Sequence, residues 1–81
     1  MVRLKYMKVD DLLYTDWFTV GPNFVVRAII NTSKYHYQII EFNTDIVVEG
    51  QARNLRQAKE EVKEKLIAAG VNFDGEIRRL Q

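Results

Sequence analysis

The sequence predicts a single α+β domain: a small antiparallel sheet of three to four strands, one long amphipathic helix packed on one face, and a short C-terminal helix. Two observations lead to this fold class. Residues 24–52 alternate at the two-residue period of strands, with turn residues between the apolar runs. From Leu55 onwards the apolar period becomes that of a helix. Strands followed by a helix indicate an α+β arrangement that uses all of residues 1–81 as one domain.

The N-terminal residues predict one short strand and one helical turn. Apolar and polar residues alternate over residues 2–6, and the lysine there is typical of a sheet edge. Asp10 is placed to cap a helical turn over residues 11–13. Residues 14–20 contain the apolar anchors Trp17 and Phe18 and lead into a Gly-Pro-Asn turn signal.

Three strands joined by tight turns follow. The first is predicted over residues 24–31, where Val, Ile and Phe dominate, and the next two over residues 35–42 and 46–52. Asn, Thr, Ser and Asp occupy the two connections, as in hairpin turns. These strands form the centre of the predicted sheet.

A long helix is predicted after the strands, with a signal at each end. Asn54 is a suitable N-cap, and Gln57 stands three residues later, as a capping box requires. Gly70 occupies the position of a left-handed C-terminal residue, after which Val71 can close on Leu66. The helix carries one apolar stripe, formed by Leu55, Ala58, Val62, Leu66 and Ala69. A shorter helix is predicted over residues 73–80, on the stripe Phe73, Ile77 and Leu80.

Composition excludes several classes of protein. The chain has no cysteine, so it lacks a disulfide framework or a thiolate metal site, and a cytoplasmic location is expected. Its N-terminus has no signal-peptide pattern, and no apolar run approaches the roughly 20 residues that span a bilayer, so no membrane partner is expected. The net charge of +1 excludes an acidic DNA mimic and does not show the basic surplus of a general nucleic-acid binder.

Catalytic groups are scarce, and we expect the chain not to be an enzyme. Ser33 and His36 are three residues apart on a hairpin, without a partner arrangement for nucleophilic catalysis, and His36 has no metal-ligand spacing around it. Glu41 and Glu49 on neighbouring strands are interpreted as residues of a solvated sheet face. No catalytic residue, metal or cofactor is therefore predicted.

Two surfaces are candidates for binding. No acidic residue precedes Glu60 in the helix, and its start is basic, which suits an anion between the side chains as well as a solvated face without a ligand. The candidate anion or nucleic-acid contacts are Arg53, Arg56, Lys59, Lys34 and Arg27.

The second candidate surface is apolar and aromatic. Both faces of the central strand carry apolar residues, whereas one helix covers only one face. The other face is open to four kinds of cover: residues 14–20, the C-terminal helix, a second copy of the chain, or a different protein. The candidate protein-contact residues are Val25, Ile29, Tyr35, Tyr37 and Trp17.

A family resemblance extends from about Gly21 to Leu66. The Gly-Pro pair, the three strands, the residues Glu-Gly-Gln-Ala-Arg at 49–53 and the Gln-Ala-Lys at 57–59 resemble the second half of a double-stranded RNA-binding domain. The same stretch is similar to the strand-strand-strand-helix unit of HicB-type antitoxins. The first resemblance implies that the basic start of the helix, Arg53, Arg56 and Lys59, contacts phosphates.

Together these observations predict a small non-catalytic interaction module that acts through protein–protein contacts, as an inhibitor, antitoxin or adaptor, with another protein or with itself. The alternative is a nucleic-acid-binding module that places the basic start of the helix on phosphates.

Overall fold

The computed structural model of the chain describes residues 4–20, 24–43 and 45–71. Within these ranges the chain forms an antiparallel sheet of six strands followed by one helix. The elements are β1 (Tyr6–Val9), β2 (Leu12–Thr15), β3 (Phe18–Val20), β4 (Phe24–Asn31), β5 (His36–Glu41), β6 (Ile46–Gln51) and α1 (Leu55–Ala68).

The sheet is built around β4. The strand order is β1-β2-β4-β5-β6, and β3 also pairs with β4. Leu12 of β2 lies opposite Asn31 and Phe18 of β3 lies opposite Val26, so β2 and β3 follow one another along the same side of β4. All of these pairs are antiparallel, and consecutive strands are joined by short connections.

The predicted sheet of three to four strands is therefore wrong, because the N-terminal residues add more strand than expected. The predicted helical turn after Asp10 is also wrong. Asp10 has a φ of 54°, and with Asp11 it forms a two-residue turn that pairs Val9 with Leu12. Aspartate tolerates this left-handed conformation, so the residue that suits a helix cap also suits a hairpin turn. The Asp11 carbonyl oxygen then accepts hydrogen bonds from the amide and hydroxyl of Thr32 at 2.8 and 3.0 Å.

The predicted short C-terminal helix is not among the elements described, since the described part of the chain contains one helix, α1. The predicted short helix over residues 73–80 lies outside the described residues.

The central hairpin agrees with the prediction for β4, and β5 is two residues shorter than predicted. Its loop is closed by Asn31, whose Oδ1 accepts hydrogen bonds from the amides of Ser33 and Lys34 at 3.0 and 3.2 Å. Tyr35 ends the loop with a φ of 57°. The register between β5 and β6 shifts at Ile39 and Ile40, which is a β-bulge.

The predicted helix is confirmed with both of its end signals. The side chain of Asn54 accepts a hydrogen bond from the Gln57 amide at 2.8 Å, and the Gln57 side chain accepts one from the Arg53 amide at 2.9 Å. At the other end Gly70 has a φ of 108°, and the Val71 amide donates to the Leu66 carbonyl at 3.0 Å. These are the bonds of a Schellman termination, which satisfies carbonyls that the helix itself leaves free.

The core lies between α1 and one face of the sheet. The helix packs chiefly on β5 and β4. Its buried residues are Ala58, Val62 and Leu66, and those of the two strands include Val26, Ala28, Ile30 and Ile39. The residues that alternate with these must point away from the helix.

Candidate interaction surface

The face of the sheet that points away from α1 is here called the open face. In β4 the buried residues alternate with Val25, Arg27 and Ile29, which are half-buried on this face. The pairing register places Ile40 beside Arg27, and Tyr14 and Gln38 on either side of Ile29. None of the described elements covers the open face, because the helix lies on the opposite side.

Large apolar side chains remain in contact with solvent on the open face. Trp17 is 37% exposed, Phe42 65% and Ile46 51%. Ile46 belongs to this face because the register pairs it with Ile40, whose neighbour Ile39 is buried under the helix. Single exposed apolar residues are common, but several on one sheet face indicate a contact surface.

The strand pairing is interrupted between β2 and β3, and the Thr15 side chain supplies hydrogen bonds at this break. Thr15 is buried, and its hydroxyl accepts the Ala28 amide at 2.9 Å while donating to the Asp16 carbonyl at 3.0 Å. The hydroxyl thus replaces a backbone acceptor in the ladder, where an unpaired buried amide would be costly. The chain then turns so that Trp17 lies over the open face.

Arg27 forms hydrogen bonds to the same break from the open face. Its Nε and Nη2 donate to the Thr15 carbonyl oxygen at 3.1 and 2.9 Å. The guanidinium carbon lies 4.6 Å from the centre of the Trp17 ring and 5.2 Å from that of Tyr14. Trp17 in turn meets Phe42 edge to face, with ring centres 5.6 Å apart. We call Arg27, Tyr14, Trp17 and Phe42 the arginine–aromatic cluster; it holds a cation in a fixed position on a partly exposed surface.

The polar part of the open face lies towards β6. The Nε2 atom of His36 is 3.1 Å from Oε1 of Glu49, and both side chains are partly exposed. Such an exposed contact contributes little to stability because water competes with it. Glu49 therefore keeps oxygen atoms that a partner can reach.

The predicted protein-contact residues divide between three places. Val25, Ile29 and Trp17 lie on the open face. Tyr35 lies in the hairpin loop. Tyr37 instead lies on the helix-covered face, where it is buried and donates to Oε1 of Glu61 at 2.7 Å. Burial, followed by the hydrogen bond to Glu61 and the nearby negative charge, raises the pKa of Tyr37 to about 12. Tyr37 is thus a core residue in this structure.

The predicted anion contacts do not form a single site. Arg27 belongs to the open face, whereas Arg53, Arg56 and Lys59 lie at the start of α1. Arg56 lies 3.7 Å from Glu60, and the Lys59 ammonium is 5.1 Å from the centre of the Tyr6 ring. Arg56 and Lys59 are therefore less available to bind an anion at the helix start.

Lys34 is brought to the same end of the sheet as Arg53. The Lys34 carbonyl accepts the Gln51 side-chain amide at 3.0 Å, and the Tyr35 carbonyl accepts the Ala52 amide at 2.9 Å. The hairpin loop is thereby tied to the residues just before α1. The start of α1 and this loop together form a mildly basic end of the molecule.

The two outer strands are less suited to binding than the open face. Among the described strands, β1 and β6 stand at the ends of the sheet order. β1 carries Lys8, and β6 carries the bulge opposite Ile40. Lysine and bulges both discourage pairing with a further strand. The face of the sheet is therefore a better candidate surface than the edges formed by β1 and β6.

Sequence reasoning did not place Tyr14 or Phe42 on this surface, and it missed the hydrogen bonds of the buried Thr15. Both aromatic residues add to an evident aromatic excess, but their convergence on Arg27 depends on the path of the chain between β2 and β3. A lone threonine has no sequence signal for its hydrogen bond to Ala28, thirteen positions away.

Comparison with protein-family models, curated proteins and solved structures gives no match to this chain. In the ranges described, histidine and acidic side chains form no group of three or more that could hold a metal ion. The described part of the chain also contains no helix with the length and hydropathy needed to cross a membrane.

Proposed function

We propose that the chain is a non-catalytic interaction module that binds another protein, or a second copy of itself, through the open face of its sheet, in the manner of an inhibitor, antitoxin or adaptor. The observation that carries this proposal is the arginine–aromatic cluster, surrounded by partly exposed aliphatic residues. Trp, Tyr and Arg are the residues that most often dominate binding energy at protein interfaces. Arg27 is already held between two rings, so binding requires little further ordering of its side chain.

The exposed aromatic surface is large enough to contribute substantially to the free energy of binding. Covering the exposed parts of Trp17 and Phe42 removes on the order of 200 Å² from water, worth about 5 kcal/mol before the costs of association. The half-buried aliphatic residues beside them add to this. Polar groups at the β6 side of the face can then provide orientation.

Two isoleucines provide a matched test. Ile46 on the open face is 51% exposed and Ile67 on the outer side of α1 is 53% exposed, so the same change alters similar surface at two places. We expect Ile46→Asp to abolish capture of a protein from nuclease-treated native lysate, whereas Ile67→Asp leaves it intact. Both variants should melt within a few degrees of the original chain. Equal loss in both variants, or loss in neither, would refute binding through the open face.

A second candidate function is nucleic-acid binding, which the proximity of Lys34 to the basic helix start favours. The double variant Arg53→Glu with Arg56→Glu then abolishes binding to a double-stranded RNA probe, and affinity for the original chain falls steeply with added salt. The near-neutral net charge and the contact between Arg56 and Glu60 make this the weaker candidate. Binding that is indifferent to salt or to the double reversal would eliminate it.

A further inference from the structure

We infer that the open face is covered by a second copy of this chain, packed face to face about a two-fold axis, with Arg27 of each copy against Glu49 of the other. This inference rests on the proposed use of the open face for protein contact and names the partner. The result is a two-layer arrangement of sheets with a helix on each outer side.

The charges of the open face are arranged for such self-pairing. Along the open side of β4, β5 and β6 the charged residues are Arg27 and Glu49. Arg27 pairs with Ile40 and Glu49 pairs with Gln38, so the two charges lie on opposite sides of β5 and two residues apart along it. A two-fold axis in the plane of the interface, crossing β5 between Ile40 and Gln38, exchanges the two positions. Each Arg27 then meets the Glu49 of the other copy, so the same ion pair forms twice, as a self-complementary interface requires.

The geometry of Arg27 supports the pairing. Its two described hydrogen bonds use Nε and Nη2, and a guanidinium has five N–H donors in all. Donors therefore remain for a carboxylate that approaches across the interface. Because the rings of Trp17 and Tyr14 hold the group in place, little side-chain freedom is lost on binding.

The area of the face is close to what a dimer needs. The six strands contain 31 residues, and each residue covers roughly 16 Å² of a sheet. The footprint is thus on the order of 500 Å², and the accessible area of a surface with side chains exceeds its footprint. A stable interface buries about 800 Å² per partner, so a copy of similar size matches the face.

Net charge also permits self-association. At +1 the chain does not repel its copies strongly. A strongly acidic partner would leave Glu49 facing like charge, and a strongly basic one would do the same to Arg27. A partner that carries both signs in mirrored positions avoids both penalties, and the chain itself is such a partner.

Sedimentation equilibrium of the full chain tests the inference, with the fluorescence of Trp17, the single tryptophan, as a second readout. We expect the average mass to rise from that of one chain to that of two as the protein concentration increases. The Trp17 emission should shift to shorter wavelength over the same concentration range. Glu49→Arg places like charges across the interface and should raise the dissociation constant at least tenfold. Glu60→Arg, the same change at an exposed helix position, should leave it unchanged.

Two results would overturn the inference: a chain that stays monomeric up to roughly 1 mM, or a dimer whose affinity Glu49→Arg does not alter. A monomer whose open face binds a different protein, sensitive to Ile46→Asp and not to Ile67→Asp, removes the second copy and retains the proposed function. If neither self-association nor capture responds to Ile46→Asp, the proposed function fails as well.

Discussion

Gly50 is the position where one added methyl group should most clearly test the packing of the core. A Cβ atom built on Gly50 would lie 2.5 Å from the Tyr37 hydroxyl and 2.6 Å from the ring carbon that carries it. Tyr37 cannot easily move away, because it is buried under α1 and donates a hydrogen bond to Glu61 at 2.7 Å. Gly50→Ala therefore forces a buried ring to shift.

The expected cost follows from three contributions. Overpacking a core costs about 1–3 kcal/mol, and loss of the Tyr37 hydrogen bond adds about 1 kcal/mol. Replacing glycine by alanine returns about 0.4–1 kcal/mol through the unfolded chain. We expect Gly50→Ala to lower the free energy of unfolding by about 2 kcal/mol, measured by urea denaturation with an unchanged slope.

A double-mutant cycle identifies the cause. In a Tyr37→Leu background the ring is absent, so adding Gly50→Ala should cost at least about 1 kcal/mol less than it does in the original chain. An equal cost in both backgrounds would show that contact with Tyr37 does not explain the glycine. A stabilising Gly50→Ala in the original chain would refute the packing itself.

Three further predictions concern the break in the sheet, the helix end and alkaline pH. Thr15→Val keeps the shape but leaves a buried amide of β4 unpaired, so urea denaturation should show a loss of about 1–3 kcal/mol, whereas exposed Thr19→Val should change stability little; similar values for both would contradict the role of Thr15. Gly70→Ala places a side chain at a φ of 108°, so the melting temperature should fall by an amount equivalent to about 1 kcal/mol or more, and an unchanged value would argue against the Schellman end. Burial raises the pKa of Tyr6 and of Tyr37 to about 12 from 10.0, so their neutral forms favour the fold below pH 10 and this contribution is lost as pH rises to about 12. Denaturation midpoints measured from pH 10 to pH 12 should fall, and the phenolate absorbance of these two tyrosines should appear only near pH 12. A constant midpoint would refute this contribution of the two tyrosines to stability.

The features predicted correctly depend on neighbouring residues. The cap at Asn54 and the termination at Gly70 each join groups at most five residues apart, so the residue types alone specify them. The strand from Phe24 to Asn31 was predicted with the same bounds because its β-branched run lies between turn residues. Prediction of the helix and of β4 needed no knowledge of the rest of the chain.

The errors arose where the outcome depends on distant partners. Asp10 suits a helix cap and a hairpin turn equally well, and the hairpin that it closes joins the sheet through the pairing of β2 with β4. Residues 14–20 were one expected cover for the second face, yet they extend the sheet. That path depends on the Thr15 hydroxyl meeting the Ala28 amide, a contact without a local sequence pattern.

The sequence by itself determined a small α+β chain with a capped helix, a central hairpin, scarce catalytic groups and an excess of aromatic residues. Only the tertiary structure decided which residues form a surface: it placed Tyr37 in the core, gathered Tyr14, Trp17 and Phe42 around Arg27, and left the open face without a described cover. The physical reason is the sequence separation between the groups that interact. Helix ends and turns are stabilised by bonds within a few residues, whereas a sheet face is assembled by pairing between strands that the sequence separates.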